Sequence, residues 1–212
     1  MRIQITFSKQ GALRYTGHLD LHKLWERAAR RAGLPLAYSQ GFHPQPKMNI
    51  AAALPLGFSS SCEVIDMRLE QEISLDGLVD KLNATMPEGI RVLDVKQADE
   101  RAPALQVQVL SAEYEVVTTE AGFGSDLKRR IDSVMESGSI IRTRRGKEYD
   151  LRPLIEELSL IPALSPDGRG GKIVMKLSAK EGATGRPEEV LDVLGIAFDE
   201  TRIERTRLNF IS

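Results

Sequence analysis

"GHLDLHKLWERAARRAGLP", residues 17–35, decides how the first half of the chain folds. Leu21, Leu24, Trp25, Ala28 and Ala32 recur at i, i+3, i+4, i+7 and i+11, a single apolar stripe with helical period. Lys23, Glu26, Arg27 and Arg30 line the opposite, wet face. The end is signalled three times: Arg30 and Arg31 in the last turn, Gly33 as a left-handed cap, and Pro35 beyond it. Upstream, "RIQITF" (2–7) alternates with period two and places Ile3, Ile5 and Phe7 on one face of a strand. The chain therefore opens as a strand feeding an amphipathic helix.

Working outward, "KMNIAAALPLG" (47–57) and "CEVIDMRLE" (62–70) read as two strands, with Ile65, Met67 and Leu69 facing one way. Ser74 is placed to cap a helix whose stripe is Leu75, Leu78, Val79, Leu82 and Met86, stopped by Pro87. "IRVLDV" (90–95) closes a β-α-β-β-α-β order over residues 1–97, the split-βαβ pattern of a ferredoxin-like sandwich. Residues 98–104 are polar and end in a Pro-Ala step, a linker.

The order recurs over 105–212. "LQVQVLSAEYEVV" (105–117) is a strand with a change of phase near Leu110–Ser111, read as a bulge. Leu127, Ile131, Val134 and Met135 form the stripe of a helix capped by Ser125. "SIIRTRR" and "GKIVMKLSA" read as strands around a short helical insertion at "DLRPLIEEL" (150–158). Pro187 starts a helix that ends at Gly195, and "RIERTRLNFI" (202–211) is the last strand. The expected fold is α+β, two tandem ferredoxin-like (βαββαβ) units covering 1–97 and 105–212.

The formal net charge of −1 argues against a uniformly basic coat, yet charge is unevenly placed. Residues 1–60 carry eight Lys/Arg against only Asp20 and Glu26, together with His18, His22 and His43. With Cys62 as the only cysteine there is no disulfide framework and no cysteine-ligated cluster. No apolar run approaches a membrane span, and the N-terminus reads as a strand, so the expectation is a cytoplasmic chain that does not enter a membrane.

Residues 38–47 form a long, chemically loaded loop, with Tyr38, Gln40, Phe42, His43 and Lys47 set among Pro44 and Pro46. Around it lie Arg14, Tyr15, His18, Lys23, Arg27, Arg30 and Arg31. The second half adds Arg144 and Arg145 in "IRTRRGK" and Arg205 and Arg207 in the last strand. Basic side chains neutralise phosphates, while aromatic faces and side-chain amides suit unstacked bases, so the combination points to single-stranded or looped RNA. Phe7 and Trp25 are assigned to the core, and Tyr38 and Phe42 are either base-stacking rings or plugs between helix and sheet.

Other constellations are weaker. His18 and His22 stand at i, i+4, but no adjacent Glu completes an HExxH pattern, so no metal and no cofactor are expected. A histidine at a helix start near Arg14 and Tyr15 suits metal-free RNA cleavage, which makes His18 the acid–base candidate if the chain is a ribonuclease. "PDGRGGK" (166–172), with Gly168, Gly170 and Gly171, lacks P-loop spacing. Cys62 reads as a small half-buried residue.

"RYTGHLDL" (14–21), residues 30–57 and "SSCEVID" (60–66) are similar to the bacterial radical-SAM-linked domain family of uncharacterised function. "RRGKEYDLRPLIEEL" (144–158) and "RPEEVL" (186–191) match its second half more loosely. That resemblance implies a radical S-adenosylmethionine protein as partner. The tandem layout also resembles the CRISPR RNA-processing endonucleases, although the glycine-rich segment those enzymes carry near the C-terminus is missing from "RIERTRLNFIS" (202–212). The expectation is a non-catalytic accessory protein that binds RNA, or another substrate, and presents it to the partner. The alternatives are a ribonuclease using His18 and a protein-interaction adaptor without RNA.

Overall fold

The computed structural model describes residues 1–118, 126–162 and 171–211, so the Ser125 cap and Gly168 and Gly170 of the glycine-rich loop lie outside the described residues. The chain divides into two compact units, Met1–Val109 and Leu110–Ser212. Each is a mixed α+β arrangement. Among the described residues, no helix is long and apolar enough to cross a membrane.

In the first unit, β1 (Arg2–Lys9) leads through a short 3-10 turn, Gly11–Tyr15, into α1 (His18–Arg31). β2 (Met48–Ile50), β3 (Ser59–Arg68), α2 (Leu78–Asn83) and β4 (Ile90–Ala98) follow. The strands lie in the order β4-β1-β3-β2, and β1–β3, β1–β4 and β2–β3 all pair antiparallel. Ile3, Ile5 and Phe7 of β1 and Ile65 and Met67 of β3 build one core with Leu21, Trp25 and Ala29 of α1 and with Ala32, the residue that caps it. Phe7 meets Trp25 edge to face with ring centroids 4.8 Å apart, and burying Phe7 contributes roughly 1.5–3 kcal/mol.

α1 ends as its sequence signals require. The Gly33 N–H donates to the Arg30 carbonyl at 2.9 Å and the Leu34 N–H to the Ala29 carbonyl at 3.0 Å, a Schellman closure. Gly33 sits at φ +68, where a side chain would be strained.

Three expectations for this unit are corrected. Ser74 does not cap the second helix: its hydroxyl accepts from the Asp76 N–H, and α2 begins only after Gly77, which has φ +69. The strand expected over 47–57 shrinks to Met48–Ile50, because residues 51–57 turn away towards β3. The polar segment 98–104 is not a loose linker, since Arg2 binds it. One Arg2 Nη donates to the carbonyls of Asp99 (3.0 Å) and Ala102 (2.7 Å), and the other to Pro103 (3.0 Å).

The second unit contains β5 (Val109–Thr118), α3 (Leu127–Glu136), a hairpin of β6 (Ile141–Arg144) and β7 (Lys147–Asp150), then β8 (Ile155–Pro162) and β9 (Gly171–Lys180). β10 (Ala183–Thr184), α4 (Pro187–Val193) and β11 (Thr201–Phe210) complete it. β9 pairs β5 on one edge and β8 and β10 on the other, so the strand order β8-β9-β5-β11 repeats that of the first unit.

Two sequence expectations fail here for one reason, irregular chain imitating another period. Leu105–Gln108 is a 3-10 turn, so the strand expected over 105–117 begins only at Val109, while the phase change lies inside β5, where Ser111 and Ala112 are both buried. "DLRPLIEEL" is not a helix: after a 3-10 turn at Arg152–Leu154 it becomes β8. A register shift between Ile155 and Glu157 puts Ile155 and Leu158 both inward, a three-residue spacing that imitates a helical stripe.

Candidate functional site

α1 has two polar flanks with different fates. Lys23, Arg27 and Arg31 are spaced four residues apart, so they form a row along one side of the helix with roughly 6 Å between successive positions. With Thr16, Asp20 and Pro87 they line an open cleft of about 460 Å³. Among the described residues, Lys23 and Arg27 make no ion pair, while Arg31 donates to the Thr85 carbonyl at 2.9 Å. Three cations in a row beside one carboxylate make a surface that attracts a chain of anions.

Arg30 is occupied elsewhere. It forms an ion pair with Glu26 at 2.8 Å, donates through Nε to the Tyr38 hydroxyl at 3.0 Å, and lies 5.6 Å from the Tyr38 ring centroid. The Tyr38 hydroxyl bond, followed by the charges of Tyr38 and Glu26, holds the guanidinium above its ordinary pKa. Tyr38 itself packs against the core.

The loop after α1 is closed at its neck and bare at its tip. Tyr38 bridges Pro46, the Ser39 N–H donates to the Gln45 carbonyl at 2.8 Å, and the Gln45 N–H donates to the Ser39 hydroxyl at 3.0 Å. The Lys47 N–H closes onto the Ala37 carbonyl at 2.8 Å. Gly41 takes φ +121 with nothing within 4 Å of where a Cβ would stand, which lets the chain reverse. Beyond it the Phe42 ring is fully exposed, at 102%. Gln40, His43 and Lys47 are exposed as well. The choice left open by sequence is thereby resolved: Tyr38 is the plug and Phe42 the free ring.

Arg14 and Tyr15 make a second aromatic–cation pair. The Arg14 guanidinium lies 4.8 Å from the centroid of the Tyr15 ring, which is 63% exposed, and donates to its hydroxyl at 2.9 Å. Buried Lys9 steadies this turn by donating to the Thr16 carbonyl at 2.9 Å. His18 is the first residue of α1 and His22 follows one turn later, where its Nε2–H donates to the Met48 carbonyl at 3.1 Å. Burial lowers the His18 pKa from 6.5, the His22 charge lowers it further, and Glu63 opposes both. His18 is therefore biased towards the neutral imidazole.

In the second unit Arg145 occupies the left-handed region, φ +49, beside Gly146 in the turn between β6 and β7. Arg144 stands next to it, half-buried. Neighbouring Arg142 is taken by Glu189 (3.2 Å) and by Asp192. Arg207 is exposed and 4.0 Å from Glu113. Arg205, expected to contact RNA, is only 1% exposed and belongs to the interior of the fold. Its neighbours in "RIERTRLNFI" hide this: Ile203, Arg205 and Leu208 are the buried set, and one of the three is an arginine.

Sequence reasoning missed Asp66 and Arg2. Neither was singled out, yet they are 5% and 2% exposed, and the guanidinium binds Asp66 through Nε (2.8 Å) and Nη. No signal in the alternation distinguishes a buried pair from two solvated charges.

Two solved structures align with this chain. The "Crystal Structure of a Cbf5-Nop10-Gar1 Complex" aligns with a TM-score of 0.50 at 13% identity over 97% of this chain. The chain spans about half of that protein's length, 48%. The "Crystal Structure of an Unknown Protein from Galdieria sulphuraria" aligns at 12% identity and a TM-score of 0.27, covering 100% of this chain and 98% of the other. The first likeness speaks for the fold alone. None of the curated proteins matches the sequence. Residues 2–187 match a family that carries through both units, and the chain belongs to it: the family described as "Uncharacterized protein conserved in bacteria (DUF2344)".

Proposed function

We propose that this protein binds single-stranded or looped RNA through its first unit, without catalysing a reaction itself, and presents it to a radical S-adenosylmethionine partner. The observation that carries the RNA reading is the pairing of two features. The open row of Lys23, Arg27 and Arg31 takes phosphates, and the bare Phe42 ring rises from a loop stiffened at its neck. Stacking needs an exposed, pre-positioned aromatic face, and the closed neck with Pro44 and Pro46 lowers the entropy lost on binding. Arg14 beside Tyr15 adds to the basic and aromatic character of the first unit, and in the second unit Arg145 and Arg207 are exposed. The partner rests on the resemblance of residues 14–66 to the radical-SAM-linked family. We read both units as ferredoxin-like, on the strand order they share, and the protein as cytoplasmic.

Photocrosslinking the purified protein to a single-stranded RNA, with the attached residues mapped, tests the reading. Adducts are expected on Phe42, and Phe42→Ala is expected to weaken binding by roughly 1–3 kcal/mol with an unchanged melting temperature, since the ring makes no core contact. Undiminished affinity in that variant would remove the base-stacking role. Ribonuclease action is a second reading, favoured by the neutral bias of His18 beside His22 and Glu63. It requires that the RNA be cleaved and that His18→Gln abolish cleavage.

A further inference from the structure

On the face of the first unit's sheet away from α1, a cavity of about 380 Å³ opens between the loop neck and the segment held by Arg2. That volume falls at the low end of ligand pockets, roughly 300–1,000 Å³. Ser39, Gln45, Lys47, Asn49, Asp66 and Arg68 supply its polar lining. Arg2 also borders it but has nothing to offer a ligand. Its Nε and one Nη bind Asp66, and its remaining N–H groups go to Asp99, Ala102 and Pro103, so all five donors are used.

Asp66 is left half satisfied. Oδ2 receives both bonds from Arg2, while Oδ1 is buried with no hydrogen-bond partner. A buried carboxylate oxygen without a donor is costly, and Asp66 is one of the residues that line the cavity. Asn49 stands opposite Asp66 in the β2–β3 register and brings a second acceptor, its amide oxygen, to the same wall. The exposed Lys47 and Arg68 place positive charge around the cavity. An anion alone does not suit a site that also presents a carboxylate. The lining asks for a molecule with a donor group at one end and a negative charge at the other.

We propose that this cavity holds one unpaired nucleotide whose base carries an exocyclic amino group, with its phosphate between Lys47 and Arg68. An amino group brings two N–H donors, one for Asp66 Oδ1 and one for the Asn49 amide oxygen. Uracil has no amino group and offers a single ring N–H. Gln45 and Lys47, exposed side chains on the loop neck, can yield to admit the base. This inference rests on the RNA reading and adds a base preference that the cleft along α1 cannot supply, because phosphate contacts carry no sequence information.

The experiment titrates the full chain with GMP, AMP, CMP, UMP and inorganic phosphate, following backbone amide shifts of Ser39 and Asn49, and separately with a single-stranded oligonucleotide. The three amino-bearing nucleotides are expected to bind roughly tenfold more tightly than UMP. Lys47→Ala is expected to weaken all four nucleotides. Arg27→Ala is expected to leave them unchanged while weakening the oligonucleotide. Asp66→Asn is expected to erase the preference over UMP, and because that variant also loosens Arg2, the comparison among wild-type nucleotides stands without it. Equal affinity for UMP, or for phosphate alone, overturns the proposal. Oligonucleotide binding with no response to any mononucleotide overturns it too, while leaving the reading of α1 intact. A protein that binds neither refutes both.

Discussion

Tyr38 and Phe42 lie four residues apart in one loop, yet one ring is bound into the fold and the other is bare. Sequence shows that both rings are there but not which faces outward, because an irregular loop has no period from which to read direction. The cations divide in the same hidden way: Arg30 and Arg31 are adjacent, and only Arg31 lines the cleft. His18 yields a prediction at this scale. Its pKa is lowered in the fold, chiefly by burial, so between the lowered value and 6.5 the unfolded chain binds more protons than the folded one. Stability is therefore fully present above that range and drains as the pH falls through it. His18→Gln is expected to flatten the dependence of unfolding free energy on pH below 6.5, measured by chemical denaturation at a series of pH values. A variant whose pH profile matches the wild type contradicts the assignment.

At the scale of elements, α1 was legible almost to the residue. Its stripe, basic last turn and glycine cap are local features, and local features survive into the fold. β8 was not legible, because the shift between Ile155 and Glu157 exists only where β8 meets β9, a partner distant in sequence. The segment before β5 misled for a related reason, with a 3-10 turn imitating strand alternation. The Arg2–Asp66 pair was invisible because each residue follows the polar phase of its own strand. Its burial follows from residues 99–103 lying over it, a contact across about a hundred positions. Arg2→Met leaves Asp66 buried without its cation, a change that costs about 3–5 kcal/mol. It also frees the 99–103 segment, so trypsin is expected to cut after Arg101 in the variant far faster than in the wild type. Equal resistance in the two proteins would mean that Arg2 does not hold the segment.

Across the whole molecule, two units repeat one strand order, and the second inserts the β6–β7 hairpin between α3 and β8. That repetition was readable only in part: the succession of elements suggested a second βαββαβ series, but with "SIIRTRR" (β6, which lies in the separate hairpin) standing where β8 belongs, and the break between units was not legible. Polar composition suggested 98–104, but compactness places it at Val109, because Arg2 draws the polar segment into the first unit. The net charge of −1 conceals a first unit able to present a row of cations on one helix. Whether that row meets phosphates is the central claim, and salt tests it most directly. Affinity for a single-stranded RNA is measured across a salt series for the wild type and for the triple variant Lys23→Ala/Arg27→Ala/Arg31→Ala. Each neutralised phosphate adds about 0.7 to the slope of log affinity against log salt, so three lost contacts should flatten it by about 2. Weaker binding with that shallower slope is the predicted result. A triple variant that binds as tightly as the wild type, with the same slope, would contradict the account.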